Sequence, residues 1–230
     1  MNGGARIGIL GGTLDPIHFG HLDTALAARE ALGLDGVVIV PSRVPPHRPQ
    51  QPIASPFHRF AMAALAVSGV DGLSVSDVEL TTPGPSYTAD TLGSIATALG
   101  LQASQIFFIT GADAFAEIET WSRFPEVLDL ANFIAVTRPG FPAGTLRQRL
   151  PALKSRMRLP LRTGDAARED GATSIFLVDA PTTDASSTEI RRRLGAALPL
   201  QGVVPGAVEQ HIQQHGLYAQ QPSLRSAEQP

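Results

Sequence analysis

Short apolar runs rich in β-branched and aromatic residues alternate along the chain with segments whose apolar positions recur at helical spacing. Arg6–Leu10 and Val37–Val40 predict buried strands, with an alanine-rich helix over Gly20–Leu32 between them. Ser55-Pro56 opens a second helix reaching about Ser68, with serine at the N-cap and proline in the first turn. Thr88–Leu99 predicts a third helix, closed by Gly100 and with Thr88 as its N-cap. Ile106–Thr110, Phe133–Thr137 and Ser174–Val178 read as further strands. Ser186-Ser187-Thr188-Glu189 carries the spacing of a capping box for a helix to about Ala197, and a last helix covers Val208–Gln214.

This alternation predicts one doubly wound, Rossmann-like α/β domain over residues 1–219: a parallel sheet with helices on both faces. Gly140–Gly171, bordered by glycine and proline and weak in periodicity, reads as an insertion or a mobile connection. Residues 220–230 read as a frayed tail.

Composition narrows the chemistry. No cysteine occurs among the 230 residues, which excludes disulfides, thiolate metal sites and a cysteine nucleophile and suits a reducing cytoplasm. The N-terminus lacks the apolar core of a signal peptide, and no run approaches a membrane span. Of the 18 basic residues only Lys154 is lysine, so there is no Walker A lysine. A net charge of −3 argues against nucleic acid as a partner. The arginine-rich run 147–168 reads as a solvated face or connection.

The candidate site follows the first strand, in Gly11-Gly12-Thr13-Leu14-Asp15-Pro16-Ile17-His18-Phe19-Gly20-His21. Two glycines let backbone N–H groups approach an anion, and the following helix points its positive end at the same place. His18 and His21, three apart, share one side of the first helical turn and can donate to phosphate oxygens, with Gly20 between them keeping the space open for a ligand. A zinc site from Asp15, His18 and His21, or a glycine-rich turn with incidental histidines, are the alternatives.

These eleven residues resemble the signature of the HxGH nucleotidyltransferases. Ser186-Ser187-Thr188-Glu189-Ile190-Arg191 is similar to the family's second phosphate segment. Pro45-Pro46-His47-Arg48, Ser86-Tyr87-Thr88-Ala89-Asp90-Thr91-Leu92, Gly111-Ala112-Asp113 with Trp121, and Thr137-Arg138-Pro139-Gly140 resemble the branch that adenylylates nicotinate mononucleotide. The resemblance spans Ile7 to about Arg193. Leu14, Arg48 and Ala185 depart from it, standing where Phe, Lys and Ile are usual.

The resemblance implies that ATP and nicotinate mononucleotide give nicotinate adenine dinucleotide and pyrophosphate. Mg²⁺ would be held mainly by phosphates, with no dedicated protein ligands. It assigns Gly11, Gly12, Thr13, His18, His21, Ser186, Ser187 and Arg191 to ATP, with His18, His21 and Arg191 catalytic. It assigns Thr13, His47, Arg48, Thr88, Asp113, Trp121 and Arg138 to the acceptor. His58, His211 and His215 carry no motif and read as surface or packing residues. A related transferase such as the phosphopantetheine enzyme, a non-catalytic nucleotide sensor and a zinc hydrolase are the rival readings, and a homo-oligomer is left open.

Overall fold

The computed structural model describes residues 4–46, 53–160 and 172–219. His47, Arg48, residues 161–171 and the tail from 220 lie outside the described residues.

The element order is β1 (Ile7–Gly12), α1 (Phe19–Leu32), β2 (Gly36–Pro41), α2 (Pro56–Val67), β3 (Leu73–Val75), α3 (Val78–Thr81), α4 (Thr88–Leu99), β4 (Ile106–Gly111), α5 (Ala112–Phe115), β5 (Asn132–Val136), α6 (Leu146–Arg149), β6 (Met157–Arg158), β7 (Ile175–Val178), α7 (Ser187–Gly195) and α8 (Gly206–Gln214). The strands form one sheet in the order β3-β2-β1-β4-β5-β7-β6, and every pairing is parallel. Strand order therefore reverses between β1 and β4, and a crevice opens at their carboxyl ends.

The side-chain period of two divides the core. Leu10, Ile39, Ile109, Ile134 and Val178 face α1, α2 and α8. Ile9, Val40, Phe108, Phe133 and Leu177 face α4, α5 and the short turns after them. With both sheet faces covered, the strands read as continuous apolar runs, which is why they were legible.

Helix ends follow the local chemistry. Ser55 accepts from the His58 N–H at the start of α2, and Gly33 and Gly100 close α1 and α4 at φ 57° and 64°. One boundary differs from expectation: Tyr87, not Thr88, is the N-cap of α4, and it makes no side-chain cap bond. The threonine lies inside the first turn, so the helix start stays open to a ligand.

Within 140–160, Leu146, Leu150, Leu153 and Met157 are buried, and Met157–Arg158 pairs with β7 as the sheet's edge. Arg156 donates to the Leu128 carbonyl and the Thr173 hydroxyl, and Arg149 lies over the Phe141 ring. Arg156 is thus held against protein, whereas Arg149 and Lys154 remain exposed, as a solvated face requires.

No helix among the described residues is long and apolar enough to cross a membrane.

Candidate active site

β1 delivers Gly11-Gly12 to the crevice, and the loop from Thr13 to His18 turns the chain into α1. This loop is buried although it is a loop: Leu14, Asp15, Ile17 and His18 are at most 2% exposed. Leu14 sits at φ 51° and the Asp15–Pro16 peptide is cis. The left-handed backbone of Leu14 persists only where its surroundings over-determine it.

They do. The Asp15 carboxylate accepts from the Ile53 and Ala54 N–H groups at 2.9 and 3.1 Å and from the Tyr218 hydroxyl at 2.8 Å. Burial and the neighbouring carboxylate raise the Tyr218 pKa, so the phenol stays a donor. Arg191 donates to the Asp15 carbonyl at 2.6 Å and lies 3.7 Å from its carboxylate. The Ser187 hydroxyl donates to the Pro16 carbonyl at 2.9 Å. Arg59, fully buried, donates to the carbonyls of Thr13, Arg43 and Ala54.

Two placements differ from the sequence expectation. Arg191 was expected to reach phosphates, but its guanidinium is engaged by the Asp15 carbonyl and the Thr188 hydroxyl. Gly20 was read as leaving room for a ligand. A Cβ there would instead meet the Thr183 carbonyl oxygen at 2.9 Å and the His18 ring at 3.2 Å, so the glycine serves the packing of α1. That packing is fixed by Asp23, whose carboxylate accepts the Thr183 N–H and hydroxyl.

His18 is the N-cap of α1, and its N–H donates to His21 Nδ1 at 3.3 Å. The two rings are 3.7 Å apart and inclined by 31°. Burial, followed by the charge of Arg138, pulls the His18 pKa down to about 3, so its imidazole is neutral at physiological pH. Its Nδ1 is buried and has no hydrogen-bond partner.

The cleft has two lobes. The first, about 300 Å³, is lined by His18, His21, Arg138, Asp113 and the start of α7 at Ser186–Thr188. Ser186 caps that helix by accepting from the Glu189 N–H. The expected return bond of a capping box is replaced by ion pairs from Glu189 to Arg192 and Arg193. Arg138 donates to the Ala185 carbonyl, which holds its guanidinium beside the helix start.

The second lobe, about 470 Å³, is lined by Pro45, Pro46, Tyr87, Thr88, Phe108 and Trp121, together with Glu79 and Ser86. Trp121 stands edge-on to Phe108 at 5.9 Å, a contact that fixes its ring plane. The Ser86 hydroxyl accepts from the N–H groups of Arg43 and Val44, and its own N–H donates to the Val44 carbonyl, which ties the Pro45-Pro46 loop to the start of α4. Glu79 accepts from the Thr91 hydroxyl at 2.5 Å, and burial raises its pKa. The two lobes share Gly11, Gly12, Thr13, Thr110 and Ala114. The cleft thus joins an anion-binding end to an apolar, aromatic end across the glycine loop.

The expected residues Gly11, Gly12, Thr13, His18, His21, Thr88, Asp113, Trp121, Arg138, Ser186 and Ser187 therefore converge on one cleft, and Arg191 holds its loop through Asp15. Arg59, Glu79, Asp23 and Tyr218 were missed. A buried arginine at the fourth position of a helix and a tyrosine near a C-terminus carry no local signal of what they hold.

Comparison with known proteins agrees with this geometry. Residues 9–193 match the cytidylyltransferase-like family model. A relative from Moorella thermoacetica, named "Probable nicotinate-nucleotide adenylyltransferase", is 40% identical, covering 93% of this chain and 91% of its own. The chain belongs to the nicotinate-nucleotide adenylyltransferase family. A similarly named relative from a Roseiflexus species is 39% identical over 93% of this chain and 98% of its own. Among solved structures, a Plasmodium falciparum nicotinic acid mononucleotide adenylyltransferase complexed with NaAD superposes with TM-score 0.70 at 17% identity, over 93% of this chain and 97% of that one. At that identity the likeness shows the fold.

Proposed function

We propose that the chain transfers the adenylyl group of ATP to nicotinate mononucleotide, giving nicotinate adenine dinucleotide and pyrophosphate. The observation that carries the reading is the two-lobed cleft meeting at Gly11–Thr13. One lobe presents imidazoles, an arginine and a helix N-terminus to phosphates, and the other presents an indole and a second helix N-terminus to an aromatic acid.

An oxygen of the acceptor phosphate attacks the α-phosphorus of ATP, and the bond to the bridging oxygen of pyrophosphate breaks. The nucleophile is already anionic, so no general base is needed, and catalysis reduces to in-line positioning and charge stabilisation. Gly11, Gly12 and Thr13 lie where the lobes meet and are assigned to the reacting phosphate. His18 and His21 donate to its oxygens as charge builds. Arg138 and the N–H groups at Ser186–Ser187 receive the departing pyrophosphate. Arg191 is assigned a positioning role, since it shapes the loop through Asp15. Asp113, exposed at the first turn of α5, is assigned to a ribose hydroxyl, and the resemblance gives the acceptor phosphate to His47 and Arg48.

Mg²⁺ brought in with ATP would neutralise phosphate charge. The phosphate lobe has a single lining carboxylate, Asp113, so its donor set suits an anion, and a cation there would take most of its ligands from phosphate and water.

The test is pyrophosphate release with ATP and a panel of acceptors: nicotinate mononucleotide, its amide and phosphopantetheine. Turnover should be fastest with the acid. Preference for phosphopantetheine would overturn the assignment.

A further inference from the structure

Three histidines that no motif and no step of the reaction employs come together where α2 and α8 pack. His58 lies in the first turn of α2, held there by its N–H bond to Ser55. His211 and His215 are four apart at the end of α8, where the His215 N–H donates to the His211 carbonyl at 3.2 Å and completes the turn. That spacing places both imidazoles on one face. Val208 and Ile212 of α8 share a core cluster with Met62 and Ala66 of α2, so the two helices are packed independently of the histidines.

His58 Nδ1 and His211 Nε2 are 3.1 Å apart, and one nitrogen from each of the three rings lies within 4.8 Å of the others. Two of the rings are half-buried and the third is exposed. Tetrahedral Zn²⁺ with nitrogen ligands at 2.0–2.1 Å holds those nitrogens about 3.4 Å apart. The His58–His211 pair is therefore already near ligand spacing, and rotation of the exposed His215 ring closes the set.

We infer that His58, His211 and His215 form a three-imidazole site for one borderline divalent cation, Zn²⁺ foremost, which clamps α8 onto α2. Three nitrogen donors without a carboxylate select zinc, cobalt, nickel or copper over magnesium and calcium, which require oxygen. The exposed side leaves a fourth position for water. The placement gives the clamp a consequence, because each helix holds the nucleotide loop just beyond its histidine. Arg59, next to His58, donates to the Thr13 and Arg43 carbonyls, and Tyr218, three residues past His215, donates to Asp15. An ion at the site would tighten the two braces together.

The experiment uses the untagged full chain, treated with chelator and then titrated with Zn²⁺ by calorimetry and with Co²⁺ by visible absorption. One equivalent should bind, with the intense visible bands of low-coordinate cobalt. At a hundredfold excess over the dissociation constant, zinc should raise Tm by about 5–10 °C. His211→Gln and His58→Gln should each weaken binding at least about tenfold. Tm without metal reports whether each variant folds, and if one does not, the other decides. The double variant His18→Ala/His21→Ala should bind as the wild type does. Absence of a cobalt spectrum in the wild type would overturn the site. So would binding lost in the double variant but kept in His211→Gln.

Discussion

Around the loop from Thr13 to His18, every brace comes from a distant part of the chain: Arg59 and the Ile53 and Ala54 amides from the start of α2, Ser187 and Arg191 from α7, Tyr218 from beyond α8. The acceptor lobe is held differently. Its walls are two loops stitched through Ser86, a helix start without a side-chain cap, and an indole leaning on Phe108. The phosphate lobe is built to hold charge-stabilising groups still. The acceptor lobe is built from surfaces that a ring can enter. Rigidity is concentrated where charge develops, as electrostatic preorganisation demands.

The largest effect that would test this contrast is acid sensitivity centred on His18. Folding lowers its pKa from 6.5 to about 3, so between those values the unfolded chain binds a proton that the folded chain refuses. The contribution is full above about pH 6.5 and is lost as pH falls towards 3, amounting to on the order of 5 kcal/mol. Urea unfolding across that range should show the decline in the wild type and a flatter profile in His18→Gln. Equal slopes would mean the imidazole is not buried as described.

Arg59 comes next, since its guanidinium bonds both loops, at the Thr13 and Arg43 carbonyls. Arg59→Met should cost about 3 kcal/mol, because three buried carbonyls lose their donor. It should also raise KM for ATP and for the acceptor together. A rise confined to one substrate would show that the two lobes are held independently.

His18→Ala and His21→Ala should each lower kcat by at least ~10²-fold, equivalent to about 2.7 kcal/mol, because each removes a donor to a charge that grows in the transition state. Circular dichroism should show the fold retained. Turnover near wild type in either variant would remove that histidine from the chemistry.

What the sequence displays and what it hides follow the same division. Strands buried on both faces appear as apolar runs, and helix ends appear through Ser55, Gly100 and Ser186 because their effects are local. β3 and β6 have three and two residues, too short to show a period. The residues converging on the cleft were legible through glycine spacing, paired histidines and the family resemblance. The braces were not. Arg59 acts on backbone carbonyls up to 46 residues away, and Tyr218 reaches a carboxylate 203 residues away. Nothing local to either residue encodes its partner, and the histidine cluster shows only its His211–His215 pair, because His58 lies 153 residues from His211.

The smallest expected effect lies in the acceptor lobe and separates affinity from selectivity. Trp121 borders the lobe and its plane is set by Phe108, so it offers a stacking face to a pyridine ring whatever the ring carries. Trp121→Ala should weaken both nicotinate mononucleotide and its amide by roughly 1–2 kcal/mol, leaving the ratio of their kcat/KM values nearly unchanged. Discrimination must come from what meets the substituent, and the open start of α4 at Thr88 offers N–H donors and the positive end of a helix. A carboxylate accepts from such donors at both oxygens. The amide presents an NH₂ that finds no acceptor among them, and the mismatch favours the acid. Glu79 in this wall would oppose a carboxylate if ionised; burial raises its pKa, and one of its oxygens accepts from Thr91. Glu79→Gln should therefore shift the acid-to-amide ratio less than Thr88→Pro, which alters the helix start itself. If Trp121→Ala changes the ratio while Thr88→Pro does not, the indole sets selectivity and the helix start merely shapes the wall.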